Sequence, residues 1–173
     1  MADGKDGEIH WFSPEQRGII PLGGLKVSRS LRQTISKKIF DVRINTAFEE
    51  TIRACAERRE VWISETIIIS YLKLHELGFA HSVECWKDSS LVGGLYGVAI
   101  QGAFFGESMF SRVTDSSKVA LVSLVNRLKE RNYFLLDTQY INPHLATLGC
   151  IEVPKKEYLT LLNTALSKKC TFV

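Results

Sequence analysis

Between His81 and Ser111 the chain reads as three extended segments joined by two tight turns, and few folds accommodate such a run. His81 to Lys87 alternates Ser82, Glu84 and Trp86 with Val83 and Cys85, and a period of two belongs to a strand. Asp88-Ser89-Ser90 supplies turn residues. Leu91 to Ile100 is a second strand loosened by Gly93, Gly94 and Gly97. Glycines inside a strand point to a bulge or to a close approach by a backbone or a ligand. Gln101-Gly102 is the second turn, and Ala103 to Ser111 the third strand. The prediction is a three-stranded antiparallel meander. Its third strand sets one carboxylate, Glu107, among Phe104, Phe105, Met109 and Phe110. Burying that group unpaired is expensive, so it must reach water, a partner or a ligand. On an edge strand it would simply face solvent.

The flanks of the meander are helical. Ser28 or Ser30 can cap a short helix ending near Lys38, and Phe40 to Ile44 alternates as a half-buried strand. Asn45 or Thr46 can cap a helix to about Arg58, with Ala47, Phe48, Ile52 and Cys55 on its apolar face. Ser64 caps the next, which carries Ile67, Ile68, Tyr71 and Leu72 inward and ends at Leu77-Gly78. After the meander, Asp115, Ser116 or Ser117 opens a strong amphipathic helix to about Asn132. Tyr133 to Leu136 is a short apolar strand leading into Asp137-Thr138-Gln139. Asn142-Pro143 starts a short helix that stops at Gly149, Ile151 to Val153 is a strand, and Pro154 opens a last helix. The tail from Lys168 is polar and expected to fray. This order predicts one α+β domain with a single mixed sheet.

Composition excludes more than it assigns. With 173 residues, 45% of them apolar, the chain can fill one core. No apolar run is long enough for a transmembrane helix. The four cysteines form no C-x-x-C pair, so no metal site is expected, and reduced thiols in a cytoplasmic setting are the default. The first eight residues are polar and read as unstructured, followed by an apolar patch at Ile9–Phe12. A net charge of +3 is too mild to demand a nucleic-acid partner. The basic residues do cluster, however, at Lys26, Arg29, Arg32, Lys37 and Lys38. Such a run is either a solvated face or a set of phosphate contacts.

Polar groups at strand ends are the natural place for a site in a layered fold. Asp137 and Gln139 close an apolar strand, and Glu107 lies on what should be a neighbouring one. The three can converge beside Gly106, Phe104, Met109 and Leu136. The structural alternative is that Asp137 only begins the turn before the Asn142-Pro143 helix.

Several segments carry a family resemblance. Trp11-Phe-Ser-Pro14, Val27-Ser-Arg-Ser-Leu31, Trp62-Ile63, Leu74-His-Glu-Leu-Gly78, Ala80-His-Ser-Val-Glu84, Leu91-Val-Gly-Gly-Leu-Tyr-Gly-Val98, Phe105-Gly-Glu-Ser-Met-Phe-Ser-Arg112 and Asp137-Thr-Gln139 occur in that order. Together they resemble the bacterial leucyl/phenylalanyl-tRNA–protein transferases over roughly residues 9 to 167. The resemblance implies a catalytic domain like that of the N-acetyltransferases, with a mixed, mostly antiparallel sheet flanked by helices. It implies transfer of leucine or phenylalanine from aminoacyl-tRNA to the N-terminal arginine or lysine of a protein, which creates a degradation signal. The expected protein is a cytoplasmic monomer without a cofactor or a membrane partner. Asp137 and Gln139 then match the pair acting on the attacking α-amine, and Glu107 the carboxylate holding the reacting groups. Phe104, Ser108, Met109 and Leu136 match the aminoacyl pocket, and Trp62 and Asn142 match positions near the acceptor peptide. The basic residues from Lys26 to Lys38 become a surface for the tRNA.

One departure and two rivals follow. The upstream Gly-Gly-Asp-Leu and Gly-Ile-Phe-Pro-Trp elements of the family are absent, so residues 1–15 read as a leader and a remnant of an N-terminal region, and 16–173 as the catalytic domain. The first rival is an inactive domain that binds N-terminal basic residues without transfer. The second is an acetyl-CoA enzyme, but Thr114-Asp115-Ser116-Ser117 stands where a Gly-rich pyrophosphate loop would open the long helix. The residues leave open whether Asp137 takes the amine's proton or only orients Gln139.

Overall fold

The computed structural model describes residues 12–57 and 62–173. The leader, most of the patch at Ile9–Phe12 and the loop before Trp62 lie outside them. The elements run β1 (Gln16–Ile19), α1 (Arg29–Ser36), β2 (Asp41–Ile44), α2 (Phe48–Cys55), α3 (Glu65–Glu76), β3 (Ala80–Lys87), β4 (Ser90–Ile100), β5 (Ala103–Ser111), α4 (Ser116–Glu130), β6 (Leu135–Gln139), α5 (Pro143–Thr147), β7 (Ile151–Pro154) and α6 (Lys155–Leu166). The strands form one sheet in the order β2-β3-β4-β5-β6-β1-β7. The β5–β6 pair is parallel, and the other described pairs are antiparallel. This is the α+β domain with a mixed, mostly antiparallel sheet that the sequence predicts.

The meander is β3-β4-β5, and its turns are built as the sequence indicates. Asp88, Ser89 and Gln101 take positive φ at the two corners. But β5 is an interior strand, held by β4 on one side and β6 on the other. The edge reading for Glu107 is therefore wrong.

Helices cover both faces, so the central strands β3 and β4 are buried on both sides, while β2 and β7 at the edges stay partly exposed. One face packs under α4, through Val83, Leu95, Phe104, Leu136, Leu121, Leu124 and Val125. The other packs under α2 and α3 around Ile52, Ile68, Tyr96 and Phe110. On that same face α6 covers Ile19, Ala103, Leu135 and Val153. The tail expected to fray instead docks. Phe172 is buried, with its ring 5.3 Å from Phe104 and 4.4 Å from His81. One aromatic side chain outweighs a polar tail when a groove is open to it.

Caps follow the sequence in three places. Ser28 accepts from the Leu31 N–H, Ser64 from Ile67, and Asn142 from Leu145. At α2 neither Asn45 nor Thr46 is the cap. Glu84, fully buried on β3, accepts from the Thr46 and Ala47 amides at 3.0 and 3.1 Å and from Ser82 Oγ at 2.6 Å. A carboxylate at a helix start satisfies free amides and complements the helix dipole. Asp115 does sit at the start of α4, but in the left-handed region and without a capping bond. Its carboxylate pairs instead with Lys118 at 3.0 Å and accepts from Thr34 at 3.3 Å, tying α1 to α4.

Candidate active site

The register of β4 on β5 breaks at one point. Tyr96 pairs with Ser108 and Gly97 with Gly106, so Glu107 is an extra residue with no partner. Such a bulge bends its strand and re-aims the side chain. Without it Ser108 and Met109 would exchange faces. Gly97 makes the bulge possible, because a Cβ there would lie 2.3 Å from the Phe105 carbonyl oxygen. The strand glycines were the readable sign of this feature.

Just before the bulge β5 and β6 part. Their parallel pairing ends at Phe105 and Asp137. A cavity of about 730 Å³ occupies the opening. Leu95, Leu121, Leu124 and Leu136 line it from the α4 side, and Tyr96, Phe110 and Trp62 from the α2–α3 side. Ser108, Met109, Glu107, Gln139 and Asn142 line it as well. Seven residues singled out in the sequence thus meet at one cavity: Trp62, Glu107, Ser108, Met109, Leu136, Gln139 and Asn142.

Two others do not. Phe104 shares the face of Leu136, but it is fully buried, packed beside the Phe172 ring and beneath Gly97, and does not line the cavity. Its expected place in the pocket wall is corrected to the layer behind. Asp137 is also fully buried behind the wall. It belongs to β6 itself, and its carboxylate also accepts from the N–H two residues on, at Gln139, as a turn-opening aspartate does.

Polar contacts organise the mouth. Gln139 Nε2 donates to Glu107 Oε2 at 2.8 Å and reaches the Gly106 carbonyl at 3.4 Å. Tyr71, which the sequence places on an apolar helix face, lies close enough to act on the same carboxylate. Burial raises the Glu107 pKa above its ordinary value, and the nearby Asp137 charge adds to this. The bond from Gln139, the Tyr71 hydroxyl and the Arg17 charge oppose it. Burial also raises the Tyr71 pKa, helped by the Glu107 carboxylate. The Tyr96 hydroxyl is buried in this wall with no hydrogen-bond partner among the described residues. An orphaned hydroxyl costs about 1–3 kcal/mol, which a polar ligand atom would relieve.

Asp137 is held from outside the cavity. Arg17 donates from Nε at 3.0 Å to each carboxylate oxygen and from Nη2 at 2.9 Å. Tyr158 OH donates at 2.5 Å and the Gln139 N–H at 2.6 Å. The Asp137 bonds and charge raise the Arg17 pKa against its burial. Burial and the same carboxylate raise that of Tyr158. Arg17 and Tyr158 carried no local signal in the sequence. One is on β1 and the other on α6, and only the fold brings them together.

The basic cluster is elsewhere. Lys26, Arg29, Arg32, Lys37 and Lys38 are exposed on and around α1 and do not line the cavity. The Thr34–Asp115 contact sets α1 beside the start of α4, whose Ser117 and Leu121 do line it. Among the described residues no three His, Cys, Asp or Glu side chains converge to hold a metal ion. No helix there is long and apolar enough to cross a membrane.

Comparison with known proteins agrees with the motif resemblance. The family described as leucyl/phenylalanyl-tRNA protein transferase matches residues 19–163. A protein of that name from Chlorobaculum tepidum is 53% identical over 177 residues, covering 100% of this chain and 91% of its own. Another from Herpetosiphon aurantiacus is 53% identical over 169 residues, covering 97% of this chain and 88% of its own.

Proposed function

Because the chain belongs to the leucyl/phenylalanyl-tRNA–protein transferase family, we propose that it moves leucine or phenylalanine from aminoacyl-tRNA to the N-terminal arginine or lysine of acceptor proteins. The product would carry an N-terminus read as a degradation signal. The observation that carries this reading is the Glu107–Gln139 bond at the mouth of an apolar cavity. The cavity suits an apolar aminoacyl side chain, and the bonded pair suits an amine and an ester.

The reaction asks little of acid–base chemistry. An α-ammonium has a pKa near 8, so a modest push yields the free amine. That nitrogen attacks the ester carbonyl, the new C–N bond forms, and the C–O bond to the ribose breaks. The amine's proton ends on the ribose oxygen. With Nε2 turned toward Glu107 and Gly106, the Gln139 carbonyl oxygen is left to accept from the amine. Glu107 fixes that orientation and supplies the negative charge an ammonium approaches. The amino acid arrives activated, so no covalent enzyme intermediate is needed, and positioning can supply much of the rate.

Met109, Leu136, Leu121 and Leu124 would receive the donor side chain, with Trp62 and Asn142 toward the acceptor peptide. The α1 cluster would meet tRNA phosphates, which contribute affinity without reading sequence. Residues 16–173 form the catalytic domain in this reading. In this reading the protein acts as a monomer in the cytoplasm. The Asp115 carboxylate at the start of α4 argues against a pyrophosphate there, and so against acetyl-CoA.

The test is to incubate the chain with Leu-tRNA carrying a labelled amino acid and peptides starting with arginine or alanine. Label should appear on the arginine peptide alone. Label on neither, or equally on both, would sink the assignment.

A further inference from the structure

We infer that Arg17 and Tyr158 are positioning residues for the transfer reaction, acting through Asp137 on Gln139. The inference rests on the reading that Gln139 sits at the reacting centre. Gln139 has φ +65°, a backbone region that favours glycine. Something must hold a glutamine there. Its N–H donates to Asp137 Oδ1 at 2.6 Å, and its side chain is bonded to Glu107. The Asp137 carboxylate is in turn clamped by the Arg17 fork and the Tyr158 hydroxyl. Arg17 also lies over the Tyr158 ring, 5.4 Å from its centroid.

The clamp decides what Asp137 can do. Each of its oxygens already accepts from at least two donors, and it does not line the cavity. A carboxylate so occupied is poorly placed to collect a proton from a substrate amine. It is well placed to fix the backbone that carries Gln139. The two ends of the chain, β1 and α6, thereby set the geometry of a site whose walls come from its middle. Misplacement of a reacting group by about 1 Å can cost a hundredfold in rate.

Tyr158→Phe is the decisive variant, because it removes one hydroxyl and keeps the ring under Arg17. Arg17→Ala strips a buried carboxylate of its main partner and would destabilise the fold as well. The expected result for Tyr158→Phe is a fall in kcat of about tenfold or more, with KM for Leu-tRNA unchanged. Thermal stability should change little, and the acid limb of the kcat–pH profile should stay where it is. Hydrogen exchange of the Gln139 amide, followed by NMR without substrate, should speed up severalfold. Wild-type kcat in this variant, or unchanged exchange at Gln139, would overturn the inference. So would a displaced acid limb, because the inference gives Asp137 no proton to exchange with the substrate. Failure of the wild-type chain to transfer leucine at all is a different result and counts against the functional reading instead.

Discussion

Gln139 Nε2 and Glu107 Oε2 lie 2.8 Å apart and join two strands just past the point where their backbone pairing ends. A side-chain bond thus replaces the ladder at the place where the sheet opens into a cavity. Glu107 reaches Gln139 because it is the extra residue of a bulge.

The buried Glu107 carboxyl has a folded-state pKa above its ordinary value of 4.5. Its charged form is therefore disfavoured by folding. The resulting destabilisation is absent below pH 4.5, grows as pH rises through the folded value and is complete above it. Glu107→Gln should consequently be no less stable than wild type at pH 8, while transfer falls by one to two orders of magnitude, roughly what a misplaced reacting group costs. Thermal melts and initial rates on the same samples check both halves. A variant that keeps its rate would remove Glu107 from the site.

Donor choice should respond to Met109. It lines the cavity on the face shared with Leu95 and Leu136. Met109→Ala deepens the pocket, and apolar pockets discriminate by about 1–3 kcal/mol per methylene. The Phe:Leu transfer ratio should rise about tenfold when the two charged tRNAs compete. An unchanged ratio would place the donor side chain elsewhere.

Replacing Arg29, Arg32, Lys37 and Lys38 together by alanine should weaken Leu-tRNA binding and leave kcat at saturating tRNA intact. These side chains are exposed, so folding should not suffer. The slope of log K against log salt should flatten by about 0.7–0.9 for each phosphate that is no longer neutralised. Equal affinity and slope in the two proteins would return the α1 cluster to an ordinary solvated face.

His81 offers a stability test away from the site. It is buried and stacked on Phe172, and burial, reinforced by the His75 charge, pushes its pKa down from 6.5 to about 4. The unfolded chain therefore takes this proton first as pH falls. The contribution is complete above pH 6.5 and disappears between 6.5 and about 4. It amounts to about 3 kcal/mol at most. Urea unfolding across that window should steepen with acidity in wild type and flatten in His81→Phe. Parallel curves would show that His81 is not the group responsible.

Much of this was readable along one dimension. The meander announced itself through alternation and turn residues, α4 through its periodicity, and α1, α3 and α5 through Ser28, Ser64 and Asn142. Glu107 stood out because a carboxylate among phenylalanines must be explained. What stayed hidden depends on residues distant in sequence. Glu84 caps α2 from another element, Phe172 finds a groove made by β3, β5 and Tyr133, and Arg17 and Tyr158 meet only across the sheet. Phe104 was misplaced for a related reason. Its face was legible, but the covering Phe172 was not.

The central claim is that Gln139, presented beside Glu107, handles the attacking amine. The most direct measurement is the single-turnover rate of leucine transfer to an arginine-starting peptide by Gln139→Ala, with Leu-tRNA affinity measured alongside. The account predicts a rate at least about a hundredfold below wild type with Leu-tRNA bound as tightly. A wild-type rate, or a deficit explained wholly by weaker Leu-tRNA binding, would contradict it.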